Sequence, residues 1–370
     1  MAGARPRAWG SASTRRCGSS RRSAVIRESV EALHAYVPGE QPQDGGWTKL
    51  NTNENPFMAP SIADAVAEAS TDALRLYPDP LCLELRAALS ARHGPPPEQI
   101  ICGNGSDELL TLAIRAAVGE GDRVTYAEPT YSLYETLAQI QGAFPVPVQL
   151  GPEWELPVDE LVAVGAKLTL VANPNAPTGT PFSLETLDRL ASAVQGMLLI
   201  DEAYVDFGGE TALPLIERHE HVFVIRTMSK AYGLAGVRLG YGFGSTRLIG
   251  ALYKIKDSYN VDRLTQVAGV AALRAFDEAQ TSNRQLSERR DRIAAVLRDR
   301  FGWRVWPSAA NFLLVDTSPL PAGEVYEGLK QRKVLVRYFD RPRLRTCLRV
   351  SIGAEHEMET FVRALERLVG

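Results

Sequence analysis

The chain has 370 residues, 45% of them hydrophobic and 23% charged, with a formal net charge of −3. That length allows about two domains and an ordinary buried core, and a charge so near neutral gives no global pull toward nucleic acid or an anionic surface. No apolar run approaches the roughly 18–20 residues that a membrane span needs.

The first segment, MAGARPRAWGSASTRRCGSSRRS, is rich in Arg, Ser and Gly and has no acid before Glu28. The composition resembles that of a transit peptide, but no apolar stretch follows the arginine pairs. Residues 1–22 are therefore read as an extension outside the fold, and 23–59 as an arm. The cysteines (Cys17, Cys82, Cys102, Cys347) form no CxxC pair, which argues against a disulfide framework or zinc site. His219-Glu-His221 is no HExxH and reads as a solvated loop.

From about Ala63 onward, helical and strand-like segments alternate. DELLTLAIRAAV reads as a helix opened by Ser106, DRVTYAE as a strand, and YSLYETLAQIQG as a helix. FPVPVQL is extended and KLTLVA is a strand. SLETLDRLASAVQG is a helix capped by Ser183, and MLLIDEAY and HVFVIRT are strands. Short apolar runs between helices indicate an α/β domain around a mostly parallel buried sheet, assigned to 60–258.

After Tyr259 the pattern changes. TQVAGVAALRAF and LSERRDRIAAVLRDRF have helical periodicity. WRVWPS, NFLLVDT, KVLVRYF and CLRVSIG read as short strands, with helix AGEVYEGLKQR among them. Residues 259–370 are thus expected to form a smaller α+β domain.

Ligands of open α/β sheets sit at the carboxyl ends of the strands, so the chemistry is sought there. In ICGNGSDELL, Gly103 and Gly105 free the backbone ahead of a helix start, which binds phosphate. The same residues also suit a plain capped helix, with Asp107 and Glu108 complementing the dipole. MLLIDEAYVDF ends a buried-type strand in Asp201, with Tyr204 close behind. In RTMSKAYGLAGVRLGY, Lys230 follows a strand among Thr227, Ser229, Gly233 and Gly236, with Arg238 eight residues on. A lysine kept from bulk water loses its proton and becomes an amine nucleophile. A phosphate cradle, a carboxylate for a pyridinium and an amine for an aldehyde together describe pyridoxal 5′-phosphate.

With GNGSDE, PTYSLYE, NPNAPTG, DEAYVDF, SKAYGLAGVRLGY and LRVSIG in this order, the chain resembles the fold-type-I family of pyridoxal-phosphate enzymes from about Ser23 to its end. HAYVPGEQP, LNTNENPF, LYPDP, IKDSYNVD and VLVRYF are similar to the histidinol-phosphate aminotransferase branch. The resemblance implies that Lys230 bonds to the cofactor's aldehyde and shuttles a proton, and that Asp201 pairs with the ring nitrogen. It further implies that Tyr204 contacts the phenolic oxygen O3′ and that Tyr131 stacks on the ring. Gly105, Ser106, Asp107, Thr227, Ser229 and Arg238 would hold the phosphate. Tyr77 would reach the cofactor of a second copy, in a homodimer. Arg349 would bind a substrate carboxylate, and Arg337 and Tyr36 the phosphate of histidinol phosphate. Bland alternatives are a structural ion pair for Arg337 and core packing for Tyr36, while Arg341, Arg343 and Arg345 read as a solvated rim.

The implied reaction is transamination between L-histidinol phosphate and 2-oxoglutarate, both small molecules, in the cytoplasm, with no metal, nucleic acid or membrane involved. An aromatic amino-acid aminotransferase and a threonine-phosphate decarboxylase share the same cofactor residues. A cofactor-binding transcription regulator would need a helix-turn-helix domain, for which the basic tail is too short. One departure from the family stands out. The residue before Pro-Thr-Gly is commonly an Asn that contacts O3′, and here it is Ala176. Either Asn175 substitutes or Tyr204 makes the contact alone.

Overall fold

The computed structural model describes residues 25–33 and 39–369. The expected extension at 1–22 and the site residue Tyr36 lie outside them. After a short helix at Glu28–Glu31, the two-residue strand β1 (Thr48–Lys49) pairs with a later strand.

Seven strands follow in one sheet: β2 (Ile100–Asn104), β3 (Arg123–Glu128), β4 (Phe144–Gln149), β5 (Leu168–Ala172), β6 (Met197–Asp201), β7 (Val222–Thr227) and β8 (Leu239–Gly244). Their order is β2-β8-β7-β6-β5-β3-β4. All neighbours are parallel except that β8 runs against both β2 and β7. β5 and β7 are buried at every position, which is why their sequences are continuous apolar runs rather than alternating ones. Helices Gly105–Ala117, Leu133–Ile140 and Leu184–Ala193 connect the parallel strands; the first and third bury leucine-rich stripes, and the second buries Tyr134 and Ala138. Ser183 accepts from the Thr186 N–H and caps its helix as expected. The helix assigned to Ser106 instead starts one residue earlier, at Gly105, after an Asn104 whose side chain makes no cap bond.

The sequence reading assigned no strand to LGYGFG, which forms β8. Three glycines hide its strand character, yet they are structural. A Cβ on Gly240 would lie 2.4 Å from the backbone of Gly105 and Ser106. The glycine lets the turn after β2 press directly onto the neighbouring strand.

The chain then forms helices Arg263–Arg274 and Phe276–Phe301. The second is longer than its apolar periodicity indicated, because Phe276–Gln285 is largely polar. It ends at Gly302 in the left-handed conformation. Beyond it, β9 (Arg304–Val305), β10 (Phe312–Asp316), β12 (Arg337–Tyr338) and β13 (Cys347–Ser351) make an antiparallel sheet ordered β12-β13-β10-β9. KVLVRYF splits, so β11 (Val334–Leu335) leaves this sheet and pairs with β1. Helices Ala322–Gln331 and Glu355–Val369 belong to this smaller α+β unit. No helix among the described residues is long and apolar enough to cross a membrane.

Candidate active site

The carboxyl ends of β2, β3, β5, β6 and β7 converge on one cavity. The arm supplies Asn51–Asn53 to its wall, and the smaller sheet supplies Arg337, Phe339 and Arg349. Lys230, Asp201, Tyr204, Tyr131, Ser106, Asp107, Thr227, Ser229 and Arg238 all line it as well. Sequence positions more than two hundred residues apart are thus brought to one place by the parallel topology.

The two acids that end β6 have opposite environments. Glu202 turns into the core, where it pairs with Arg226 at 2.8 Å and accepts from Thr211 and the Ala212 N–H. Among the described residues no cation pairs with Asp201. Its Oδ1 accepts from the Ala203 N–H at 3.1 Å and its Oδ2 from the Tyr134 hydroxyl at 3.0 Å. Burial raises its pKa to about 6 against the lowering effect of those two bonds. A buried carboxylate facing a cavity without a countercharge suits a cationic N–H on a ligand.

Lys230 lines the same cavity. Its Nζ donates to the Thr52 carbonyl at 2.8 Å. Burial, then the nearby Arg349 guanidinium, lowers its pKa to about 8. The amine therefore holds its proton loosely, as a nucleophile for a carbonyl carbon requires.

The phosphate-sized end lies at the first turn of helix Gly105–Ala117. Gly105 has φ +75°, and a Cβ there would meet Arg238 Nη2 at 2.5 Å. The missing side chain is what admits the guanidinium. Arg238 itself holds φ +58° and reaches Ser229 Oγ at 3.4 Å and Asp107 Oδ2 at 3.3 Å. The Thr227 hydroxyl donates to Ser229 Oγ at 2.9 Å. The Asp107 carboxylate also accepts from the Tyr131 hydroxyl at 3.2 Å, so its side chain positions Arg238 and Tyr131 rather than offering donors of its own. Helix N–H groups, two hydroxyls and a guanidinium make a donor set that fits a phosphate dianion. Together with Asp201 and Lys230, these residues fit pyridoxal 5′-phosphate.

On the smaller sheet, Arg337 and Arg349 are register partners on β12 and β13. Like charges directly opposite on neighbouring strands are destabilising, and both line the cavity. Arg349 Nη2 donates to the Asn51 carbonyl at 2.8 Å, and its guanidinium lies over Phe312 and Phe339. Arg337 packs over Phe339 and makes no ion pair among the described residues, so the structural-pair alternative is not observed. Arg341 and Arg345 are exposed as expected, whereas Arg343 packs on Trp154 and donates to the Leu150 and Gly151 carbonyls.

One sequence expectation is displaced. Asn175 is buried, and its amide is committed: Nδ2 donates to the Pro129 carbonyl and Thr178, and Oδ1 accepts from Thr130. It does not line the cavity, while Ala176 does. Asn175 is thus not a substitute contact, because it ties the loop together instead. Tyr77 is 77% exposed, lies outside this cavity, and stacks on Tyr259 at 4.4 Å.

Sequence reasoning missed Tyr134 and the arm tripeptide. The Asn51 carbonyl holds Arg349, the Thr52 carbonyl holds Lys230, and Asn53 Nδ2 donates to the Tyr204 hydroxyl at 3.0 Å. The stretch LNTNENPF marked a resemblance but signalled no such contacts.

The chain matches the family model described as aminotransferase class I and II over residues 46–368. It is 42% identical over 348 residues to "Histidinol-phosphate aminotransferase 1" of Trichormus variabilis, covering 93% of this chain and 99% of that one. It is 39% identical over 344 residues to histidinol-phosphate aminotransferase of Microcystis aeruginosa, covering 93% and 98%. In structure it is similar to histidinol-phosphate aminotransferase from Sinorhizobium meliloti, a crystal structure in complex with pyridoxal-5′-phosphate. That likeness has a TM-score of 0.86 and 29% identity and covers 94% of this chain and 98% of that one.

Proposed function

This chain belongs to the aminotransferase class I and II family, and on that premise we propose that it moves the amino group from L-histidinol phosphate to 2-oxoglutarate. The products are imidazole-acetol phosphate and glutamate; the reverse transfer, from glutamate to imidazole-acetol phosphate, makes L-histidinol phosphate and is the direction that serves histidine biosynthesis. The protein is an enzyme dependent on pyridoxal 5′-phosphate. The observation that carries the substrate assignment is the facing pair Arg337 and Arg349 above a cavity that also contains Lys230 and Asp201. Two adjacent guanidinia suit a phosphate dianion, and a single arginine would serve a carboxylate.

When bound, the cofactor supplies an aldehyde that joins to amines and a ring that takes up the electrons left on the substrate carbon. Lys230 is the group that holds and moves a proton at that carbon, and its weakened basicity suits it for both directions of transfer. The Asp201 carboxylate would keep a proton on the ring nitrogen, and Tyr204 would donate to the phenolic oxygen. Gly105, Ser106, Thr227, Ser229 and Arg238 would hold the phosphate, with Asp107 orienting Arg238. Tyr131 would stack on the ring. Tyr36 would complete the substrate site from the arm.

The exposed Tyr77 suits a homodimer in which it reaches the cofactor of a partner subunit. With an arm at 23–59, a large domain at 60–258 and a small domain at 259–370, residues from all three would line the cavity, and a cytoplasmic location suits the chemistry. Glutamate formation from L-histidinol phosphate and 2-oxoglutarate by the purified holoenzyme tests the reading. Turnover should vanish in Lys230→Ala, and retained turnover would refute the role given to that lysine.

A further inference from the structure

Tyr204 is held edge-on against Phe312, with ring centroids 5.1 Å apart and an interplanar angle of 87°. That contact holds the ring from one side, and the hydroxyl hydrogen keeps its own rotational freedom. Ala176 packs in the same small cluster, with Ala310 and Phe312 against Tyr204. A methyl group therefore stands where a second donor to the cofactor's phenolic oxygen would be useful, and the Asn175 amide is committed elsewhere.

The hydroxyl's direction is settled by Asn53. This residue is buried and holds φ +56° in the left-handed region, where Asn is among the few tolerated side chains. Its main chain is fixed from two sides. The N–H donates to Ser351 Oγ at 2.9 Å, and the carbonyl accepts from Asn311 Nδ2 at 2.9 Å. The orientation of its side-chain amide follows from counting hydrogens. Ser351 Oγ already accepts from the Asn53 N–H, and its single hydrogen goes to Asn53 Oδ1 at 2.8 Å. That leaves Asn53 Nδ2 facing Tyr204, to whose oxygen it donates at 3.0 Å. A phenol has one hydrogen. With its oxygen accepting from Asn53, that hydrogen points the other way, into the cavity.

We propose that Asn53, set by Ser351, is the positioning residue for the Tyr204 hydroxyl, aiming its only hydrogen at the phenolic oxygen of the bound cofactor in a site where Ala176 offers no donor. The relay also spans the fold. Ser351 ends the strand that contains Arg349, so the serine that sets Asn53 and the arginine assigned to the substrate anion share one backbone segment.

The test is a pH titration of the cofactor's absorbance band in the holoenzyme, with turnover not required. Asn53→Asp keeps the shape but replaces the donor by an acceptor, which turns the Tyr204 hydrogen away from the cofactor. Compared in wild-type and Tyr204→Phe backgrounds, Asn53→Asp should shift the titration upward in both, through its charge. The shift should be larger by at least about half a unit, roughly threefold in proton affinity, where the Tyr204 hydroxyl is present. Equal shifts in the two backgrounds would overturn the proposal. Ser351→Ala, which frees the amide to reverse without adding charge, should give a smaller upward shift that disappears in Tyr204→Phe. If Asn53→Asp does not take up cofactor, this second pair decides, and an unchanged titration in Ser351→Ala would overturn the proposal.

Discussion

Tyr134 donates a 3.0 Å hydrogen bond from inside the core to Asp201, the carboxylate that ends β6. The bond stabilises the charged form of a carboxylate that burial otherwise pushes toward neutrality, with a pKa of about 6. Tyr134→Phe removes the donor and keeps the packing. The acid limb of kcat/KM against pH should then move to higher pH, and kcat should fall about tenfold, the scale of one hydrogen bond to a charged group. An unmoved acid limb would show that Asp201 does not depend on this bond.

A second expectation concerns stability without cofactor. Lys230 is depressed to about 8 from an ordinary value of 10.5, chiefly by burial. Below pH 8 the lysine is charged in both the folded and unfolded states, and the folding penalty is fully present. Between about 8 and 10.5 the unfolded chain binds more protons than the folded one at this site, so stability rises with pH. Lys230→Met should therefore stabilise the apoprotein below pH 8, with an advantage that shrinks across that window. Chemical denaturation at several pH values measures it, and a constant difference would contradict the assigned shift.

How much of this was legible in the sequence depended on whether a signal was local. Strands such as β5 and β7 are buried on both faces and wrote themselves as uninterrupted apolar runs. β8 did not, because the glycines that let Gly105 and Ser106 approach Gly240 also erase its strand propensity. Asp201 ends a strand, Lys230 sits in the helical turn Met228–Ala231 and Arg238 in the loop after it, all within stretches whose composition is itself unusual. Tyr134 and Asn53 look like ordinary helix and arm residues. Their importance arises only when Asp201, 67 residues from Tyr134, and Tyr204, 151 residues from Asn53, fold against them.

The arginine pair gives a third prediction. Arg337→Gln should raise the KM for L-histidinol phosphate about ten- to a hundredfold, the worth of a charge-assisted bond to phosphate, and should disturb glutamate much less. Arg349→Gln should impair both substrates. Equal effects of Arg337→Gln on the two half-reactions would remove the phosphate from its assigned place.

Ala176→Asn provides a fourth. The new amide would add a donor at the phenolic oxygen, which Tyr204 otherwise contacts without help from this loop. The cofactor's absorbance titration should shift downward. No shift would mean that the loop before Pro177 does not approach that oxygen.

The substrate assignment is tested most directly by initial rates of the purified holoenzyme with 2-oxoglutarate and each of L-histidinol phosphate, phenylalanine and threonine phosphate. The paired arginines predict a kcat/KM for L-histidinol phosphate at least about a hundredfold above that for phenylalanine, since a site built for a charged group strongly rejects an analogue lacking it. Threonine phosphate should give no glutamate. Phenylalanine matching or exceeding L-histidinol phosphate would contradict the account.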